Sequence, residues 1–281
     1  MELIRDNSFD DVYKKSLKSL IENGIEINPR GLSTIELSPF VITIDDPRTR
    51  IITNQSRKIN LGFNILEHLC VIGGDDTVEM QSKLNSNITK FSDDGKIFRG
   101  AYGPRLRYLF WYNDYGLAGS SDQFINVLAK LKNDKNSRQA VMTIFDPIKD
   151  FVNTKDVPCT VSFHFLLRND KLKMNTYMRS NDAMLGHVVD IFNFTMIQEL
   201  IATELGVDVG EYNHFVGSFH LYKDDIKKAE KIINEKTQNF KMNNMVGGIK
   251  LAESTYNNVR KFFDNSNKTL DILNPYWNDL Y

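Results

Sequence analysis

The stretch VPCTVSFHFLLRNDKLKMNTYMRSND, residues 157–182, decides the fold class. Its two halves, Val161 to Leu167 and Lys171 to Tyr177, are rich in β-branched and aromatic residues, and Asn169-Asp170 between them suits a tight turn. They read as a hairpin, with Ala140 to Phe145 as a further strand upstream. On the C-terminal side, a helix is expected over Ile191 to Leu205, stopped by Gly206. A strand follows over Phe215 to Tyr222, then a helix over Asp224 to Glu235. On the N-terminal side a helix fits Phe9 to Glu22, where Ser8 can cap, Asp10 and Asp11 sit in the first turn and Gly24 ends the run. Strands over Ser33 to Leu37 and Phe40 to Ile44 come next, then an apolar helix over Ile59 to Ile72 closed by Gly73-Gly74, and a helix over Asp122 to Lys132. The order is mixed and does not repeat a βα unit, which predicts an α+β architecture around a large sheet instead of a doubly wound one.

The 281 residues carry 35 basic and 36 acidic side chains, a formal net charge of −1. A neutral balance gives no long-range pull towards nucleic acid or an anionic membrane surface. No apolar run approaches the roughly 20 residues of a membrane span, and the start MELIRDNSFDD has no apolar core of a secretory signal. A cytoplasmic chain is expected, with Cys70 and Cys159 as reduced thiols. No repeat or Pro/Gly/Ser-rich linker divides the sequence, so residues 1–281 are read as one domain. Gly100-Ala101-Tyr102-Gly103 lacks the spacing of a phosphate-binding glycine loop, and the five histidines form no metal-ligand spacing.

Four positions stand out chemically. Cys159 precedes a β-run. It fits either a small buried hydrophobe or a nucleophile activated by a cation such as Arg179. Glu67 interrupts an apolar helical stripe made by Phe63, Cys70 and Val71. It is either an edge residue or a buried acid with a raised pKa suited to proton transfer. His220 and Tyr222 alternate on one face of a strand, where they would either hold a ligand hydroxyl or form a half-buried pair.

In order along the chain, several segments resemble the thymidylate synthase family. These are Arg30-Gly31, Leu66-Glu67-His68-Leu69, Ala101-Tyr102-Gly103, Asn136-Ser137-Arg138, Pro158-Cys159, Arg179-Ser180-Asn181-Asp182, Leu185-Gly186 and Gly217 to Tyr222. The likeness covers roughly residues 28 to 225. It implies a mechanism in which Cys159 adds to C6 of a pyrimidine nucleotide and C5 takes a one-carbon unit from 5,10-methylenetetrahydrofolate. Glu67 would move protons through ordered water, with Tyr102 also in the catalytic group. Arg30, Arg179, Ser180 and the partner subunit's Arg138 would hold the phosphate, His220 and Tyr222 the sugar, and Asp182 and Gly186 the folate. A homodimer with shared sites, joined through a sheet face, is implied.

The departures from the family point to the substrate. The residue four past Leu185-Gly186 is an asparagine in thymidylate synthases and is Asp190 here. An ionised carboxylate only accepts hydrogen bonds. It opposes uracil O4 but suits the amino group of cytosine, with a proton shared at N3. The same Asp, the Cys159-Thr160 pair, the string Met178 to Asp182 and Val216-Gly217-Ser218 resemble the phage dCMP hydroxymethylases. The expected activity is therefore 5-hydroxymethylation of dCMP or CMP. The alternatives are reductive methylation of dUMP with Asp190 protonated, and a catalytically silent nucleotide-binding homologue. Asn87 to Phe98 lacks the tryptophan that synthases place near the reacting carbon, unless Phe91 substitutes. Gln139 replaces the second arginine of the cross-subunit pair, and Arg48, Arg50 or Arg57 are candidates to compensate. Tyr276 or Trp277 are candidates for a lid.

Overall fold

A computed structural model of the chain describes residues 2–112 and 118–264; Tyr276 and Trp277 lie outside the described residues. The elements run β1 (Glu2–Asp6), α1 (Phe9–Asn23), β2 (Ile25–Ile27), β3 (Thr34–Leu37), β4 (Phe40–Ile44), α2 (Leu61–Gly73), α3 (Val78–Ser82), α4 (Tyr102–Arg107), β5 (Leu109–Tyr112) and β6 (Ala118–Ser121). They continue as α5 (Gln123–Asn133), β7 (Val141–Thr143), α6 (Pro147–Asp150), β8 (Thr160–Arg168), β9 (Lys171–Asp182), α7 (Gly186–Leu205), β10 (Asp208–Tyr222), α8 (Ile226–Asn234) and α9 (Ile249–Phe263). Eight strands form one mixed sheet in the order β1-β4-β10-β9-β8-β7, with β3 on β10 and β2 on β3. The β1–β4 and β9–β10 pairs are parallel, and the other pairs in this sheet are antiparallel. The α+β expectation holds, with helices packed on a large mixed sheet. No helix among the described residues is long and apolar enough to cross a membrane.

Local chemistry explains the element ends. Ser8 caps α1 by accepting from the Asp11 N–H, and Asp122 caps α5 by accepting from Phe124 and Ile125. Gly74 and Gly206 end α2 and α7 in the left-handed conformation, at φ 69° and 67°. Asn169 and Asp170 take φ of 52° and 55°, as a hairpin of primed type requires.

Helix α7 is the centre of the molecule. It packs on β9 and β10 on one side and meets α2, α5 and α9 on others. Buried residues run round its whole circumference, from Val188 through Phe194 and Gln198 to Ala202. A helix covered on all sides needs no polar face, and burying a side chain such as Phe194 contributes about 2–3 kcal/mol.

Three elements are longer than their hydrophobic pattern. β9 continues to Asp182, α7 begins at Gly186 instead of Ile191, and β10 begins at Asp208 instead of Phe215. In β9 and β10 the buried positions are even-numbered up to Met178 and Val216, then odd-numbered at Asn181, Phe219 and Leu221. The two parallel strands change phase together, opposite Gly217. A Cβ there would lie 2.9 Å from the Arg179 carbonyl oxygen, so only glycine permits the approach. The break in period hides this stretch from a pattern search, and Arg179-Ser180-Asn181-Asp182 are strand.

Candidate active site

Cys159 lies immediately before β8, in a loop held by Arg179 of the neighbouring strand. The Arg179 guanidinium donates from Nε to the Pro158 carbonyl and from Nη2 to the Val157 carbonyl, each at 2.9 Å. The Arg179 backbone N–H donates to the Cys159 carbonyl, also at 2.9 Å. Arg179 thus fixes the nucleophile loop as well as placing a positive charge beside it. Burial pushes the Cys159 thiol up, with Asp190, Asp156 and Asp182 adding to the rise; the Arg179 charge pulls the other way. The resting group is a thiol. The next residue, buried Thr160, donates from Oγ1 to the Tyr102 hydroxyl at 2.9 Å. Cys159 and Asp190 both act on Tyr102, which links Cys159 to the second half of the site.

That half is a pair of carboxyls. Glu67, midway along α2, accepts from Asn193 Nδ2 at 2.6 Å; the same nitrogen donates to the Val189 carbonyl at 3.2 Å. Burial pushes Glu67 up to about 7, opposed by the Asn193 hydrogen bond. Asp190 accepts from Asn181 Nδ2 at 2.7 Å. Burial, then the proximity of Glu67, raise Asp190 to about 8, while the Asn181 bond pulls it down. Two acids in one desolvated cleft cannot both ionise cheaply, so protons remain on the pair at neutral pH. The early start of α7 creates this geometry: Asp190 and Asn193 are three residues apart and share a helix face. Gly186 keeps room for it, since a Cβ there would stand 3.1 Å from Asp190 Oδ2 and 3.4 Å from Asn181 Nδ2.

Ser180, His220 and Tyr222 also converge. Ser180 Oγ lies 3.4 Å from His220 Nδ1, and the His220 and Tyr222 rings meet edge to face at 5.6 Å. Asp182 accepts on Oδ1 from the Met184 and Leu185 N–H groups, at 2.7 and 3.0 Å, so one oxygen shapes the turn into α7. Arg30 and Arg138 are exposed, and no hydrogen bond or ion pair joins either to this cluster among the described residues. Arg30 sits in the helical turn Pro29–Gly31 at φ 54°.

The candidate replacements for the missing second arginine divide. Arg50 is excluded, because it is buried in an ion pair with Glu199 at 2.5 Å. Arg57 donates to the Met184 carbonyl at 2.7 Å, close to the Asp182 turn; Arg48 stands 3.8 Å from Asp46. Gln139 accepts from Lys130 at 3.2 Å. Phe91, the candidate stand-in for a tryptophan, is 44% exposed.

Sequence reasoning assigned no role to Asn193, to Thr160 as partner of Tyr102, or to Asn181 as partner of Asp190. The i, i+3 spacing from Asp190 would have pointed to Asn193 had α7 been started at Gly186.

The thymidylate synthase family model matches residues 11–266. Over 221 residues the chain is 38% identical to a deoxyuridylate hydroxymethyltransferase of Bacillus phage SP01, covering 76% of this chain and 57% of that protein. A deoxyuridylate hydroxymethyltransferase of Pseudomonas phage M6 is 28% identical over 233 residues, covering 82% of this chain and 64% of that protein. A thymidylate synthase of Listeria monocytogenes is 32% identical over 143 residues, covering 51% and 43%. The chain spans less than two thirds of the length of these relatives. Matched by the family model over nearly all of its length, the chain belongs to the thymidylate synthase family.

Proposed function

We propose that this chain is a folate-dependent pyrimidine nucleotide 5-hydroxymethyltransferase whose preferred base is cytosine. The observation that carries the reading is Asp190: a carboxyl beside Cys159, sunk next to Glu67 and left with protons to share. In either protonation state Asp190 suits a cytosine. Ionised, it accepts from the N4 amino group; neutral, it accepts from N4 and gives its proton to N3. Only the neutral acid suits a uracil, by donating to O4 and accepting from N3–H. Its rise to about 8 therefore keeps a second reading open, with dUMP as substrate. The phage relatives, named deoxyuridylate hydroxymethyltransferases, favour that reading.

The chain's residues divide the work as follows. Cys159 Sγ loses its proton and bonds to C6, and the C5–C6 π electrons move towards C5. Protonation of the ring on the Asp190 side draws those electrons and lowers the barrier. Arg179 holds the loop while charge appears on sulfur. Glu67, near neutrality in pKa, takes and returns protons at C5 and directs water to the carbon delivered there. Tyr102, fixed by Thr160, orients water between the two halves. Ser180, His220 and Tyr222 hold the sugar and the adjoining phosphate oxygens.

Asp182 and Gly186 would hold the folate. Asp182 uses only Oδ1 to shape its turn, which leaves Oδ2 for ring N–H groups, and Gly186 keeps the adjacent surface free of a side chain. Methylenetetrahydrofolate held there supplies the one-carbon unit at the oxidation level of formaldehyde. The phosphate is completed by Arg30 and by Arg138 of the partner subunit, so the working form is a two-fold homodimer. Half-exposed Val161, Val141 and Tyr177, the last stacked on Phe215 at 5.1 Å, give the sheet face that such a dimer would cover.

Release of tritium from C5 tests the reading, with dCMP, CMP and dUMP run in parallel beside methylenetetrahydrofolate and the products weighed by mass spectrometry. The expected result is fastest release from dCMP and a hydroxymethyl product. Asp190→Asn should move the dCMP/dUMP ratio about 100-fold towards uracil, the scale of leaving a buried polar group mispaired. Any dUMP turnover should fall as pH rises through about 8, because the neutral acid is lost. Exclusive use of dUMP at all pH values overturns the cytosine preference, and a methyl product overturns hydroxymethylation.

A further inference from the structure

Behind Asp190 lies a buried polar chain that the mechanism does not use. Asn181 faces Asp190 with Nδ2 and two histidines with Oδ1: His187 Nδ1 at 2.6 Å and His214 Nε2 at 3.1 Å. His214 Nδ1 lies 2.8 Å from the Tyr212 hydroxyl, which lies 3.0 Å from Thr176 Oγ1. All five of these side chains are buried. Burial holds both imidazoles well below their usual range, His214 at about 3, so each is neutral and carries one N–H.

The network admits one economical arrangement. With both ring N–H groups donating to Asn181 Oδ1, His214 Nδ1 is bare; the Tyr212 hydroxyl, which stands within reach of both Thr176 Oγ1 and His214 Nδ1, then turns its one proton to the imidazole, and the Thr176 hydroxyl rotates to donate to it. Every donor then points towards Asp190, and His187 Nε2 is a bare acceptor with no partner. The reversed amide would turn the Asn181 carbonyl onto Asp190 Oδ2. It would also move the His187 proton to Nε2, where a buried N–H would have no acceptor; orphaned buried donors are rare. The two histidines therefore fix the amide's direction, and the amide makes Oδ2 the acceptor-only oxygen of Asp190.

We propose that Asn181, locked by His187 and His214, is a positioning residue for base recognition: it reserves Oδ2 of Asp190 as an acceptor and leaves Oδ1 to carry the proton that meets the pyrimidine. The proposal rests on the reading of Asp190 as the base-facing group. It goes beyond that reading in assigning the choice between the two oxygens to a histidine pair on the far side of the amide. His187 arrives from the first turn of α7 and His214 from β10, so the device exists only where those two elements pack against the end of β9.

The test uses the full chain. Variants are Asn181→Leu, which removes the donor, His187→Phe with His214→Phe, which keeps the rings but removes both N–H groups, and His214→Gln, whose amide restores a donor at Nε2 reach. The first readout needs no turnover: 13C NMR of labelled aspartate, with the Asp190 signal assigned by its loss in Asp190→Asn. Besides Asn181 itself, the groups acting on Asp190 are Glu67 from α2, Asp182 from β9, Cys159 ahead of β8, Tyr102 from α4 and Tyr212 from β10; none of these five is altered in the variants. Expected are an upward move of the Asp190 midpoint by a pH unit or more in Asn181→Leu, a smaller upward move in the double Phe variant, and recovery in His214→Gln. The second readout is the dCMP/dUMP ratio of C5 tritium release, expected to change tenfold or more in Asn181→Leu and in the double Phe variant.

An unchanged midpoint in Asn181→Leu overturns the proposal, as does a double Phe variant with an unchanged base ratio. Should Asn181→Leu not fold, Asn181→Ala serves in its place with the same expectations. If the unaltered chain releases tritium from neither nucleotide, the proposed function fails. The NMR midpoints then still decide whether the histidines set Asp190.

Discussion

The reacting half and the phosphate half of the site are built to different standards. Around Cys159, Glu67 and Asp190, each functional side chain or its loop is held by a named partner: Arg179 on the loop carbonyls, Asn193 on Glu67, Asn181 on Asp190 and Thr160 on Tyr102. Arg30 and Arg138 instead stand exposed, outside that network. A single chain pre-organises the groups that move electrons and protons, because those must be fixed before reaction. On the proposed reading, the groups that only neutralise charge are left on loops, for a second subunit and the ligand to complete.

The contrast can be broken or sharpened by experiment. Cys159→Ser should lower C5 tritium release by about 10⁴-fold or more while changing nucleotide affinity by no more than about twofold. A large loss of affinity would show that the reacting half also carries binding. Arg138→Ala should raise the nucleotide KM by about tenfold, the scale of one charge-assisted hydrogen bond, with little change in kcat. Mixing it with Cys159→Ser should restore activity, since a mixed dimer holds one site with both groups intact. Failure to complement would place Arg138 in its own subunit's site.

The smallest effect is on stability. Glu67 is raised in the folded chain to about 7, so it opposes folding once the unfolded chain ionises. Its favourable state is fully present below the unfolded pKa and is lost as pH rises through about 7. Glu67→Gln should therefore be more stable than the native chain at pH 8, by on the order of 1–2 kcal/mol, and level with it at pH 4. Thermal unfolding at both pH values checks this; equal stability at pH 8 would mean that the carboxyl is better solvated than its surroundings indicate.

Legibility followed the same division. The hairpin, α1, α2 and their caps were readable because each rests on local chemistry: a period, a capping oxygen, a glycine in the left-handed region. Residues that the family motifs mark, Cys159, Glu67, Arg179 and Asp190, could be named in advance. Their partners could not. Asn193 acts because α7 begins five residues before its apolar pattern does, and Asn181 because β9 and β10 slip phase together at Gly217. The short strand β1 passed unnoticed, since pairing with β4 makes it; helix α9 also passed unnoticed, although Ala252, Thr255, Tyr256 and Val259 recur at helical spacing.

The amino-acid sequence by itself determined the α+β class, the family and which side chains are proposed to react, because each rests on residue type and on spacing along the chain. Tertiary structure alone decided that Arg179 ties down the Cys159 loop, that Arg50 is engaged by Glu199, and that two raised carboxyls act on one another. Those are matters of burial and through-space distance, and neither is a function of neighbours in sequence.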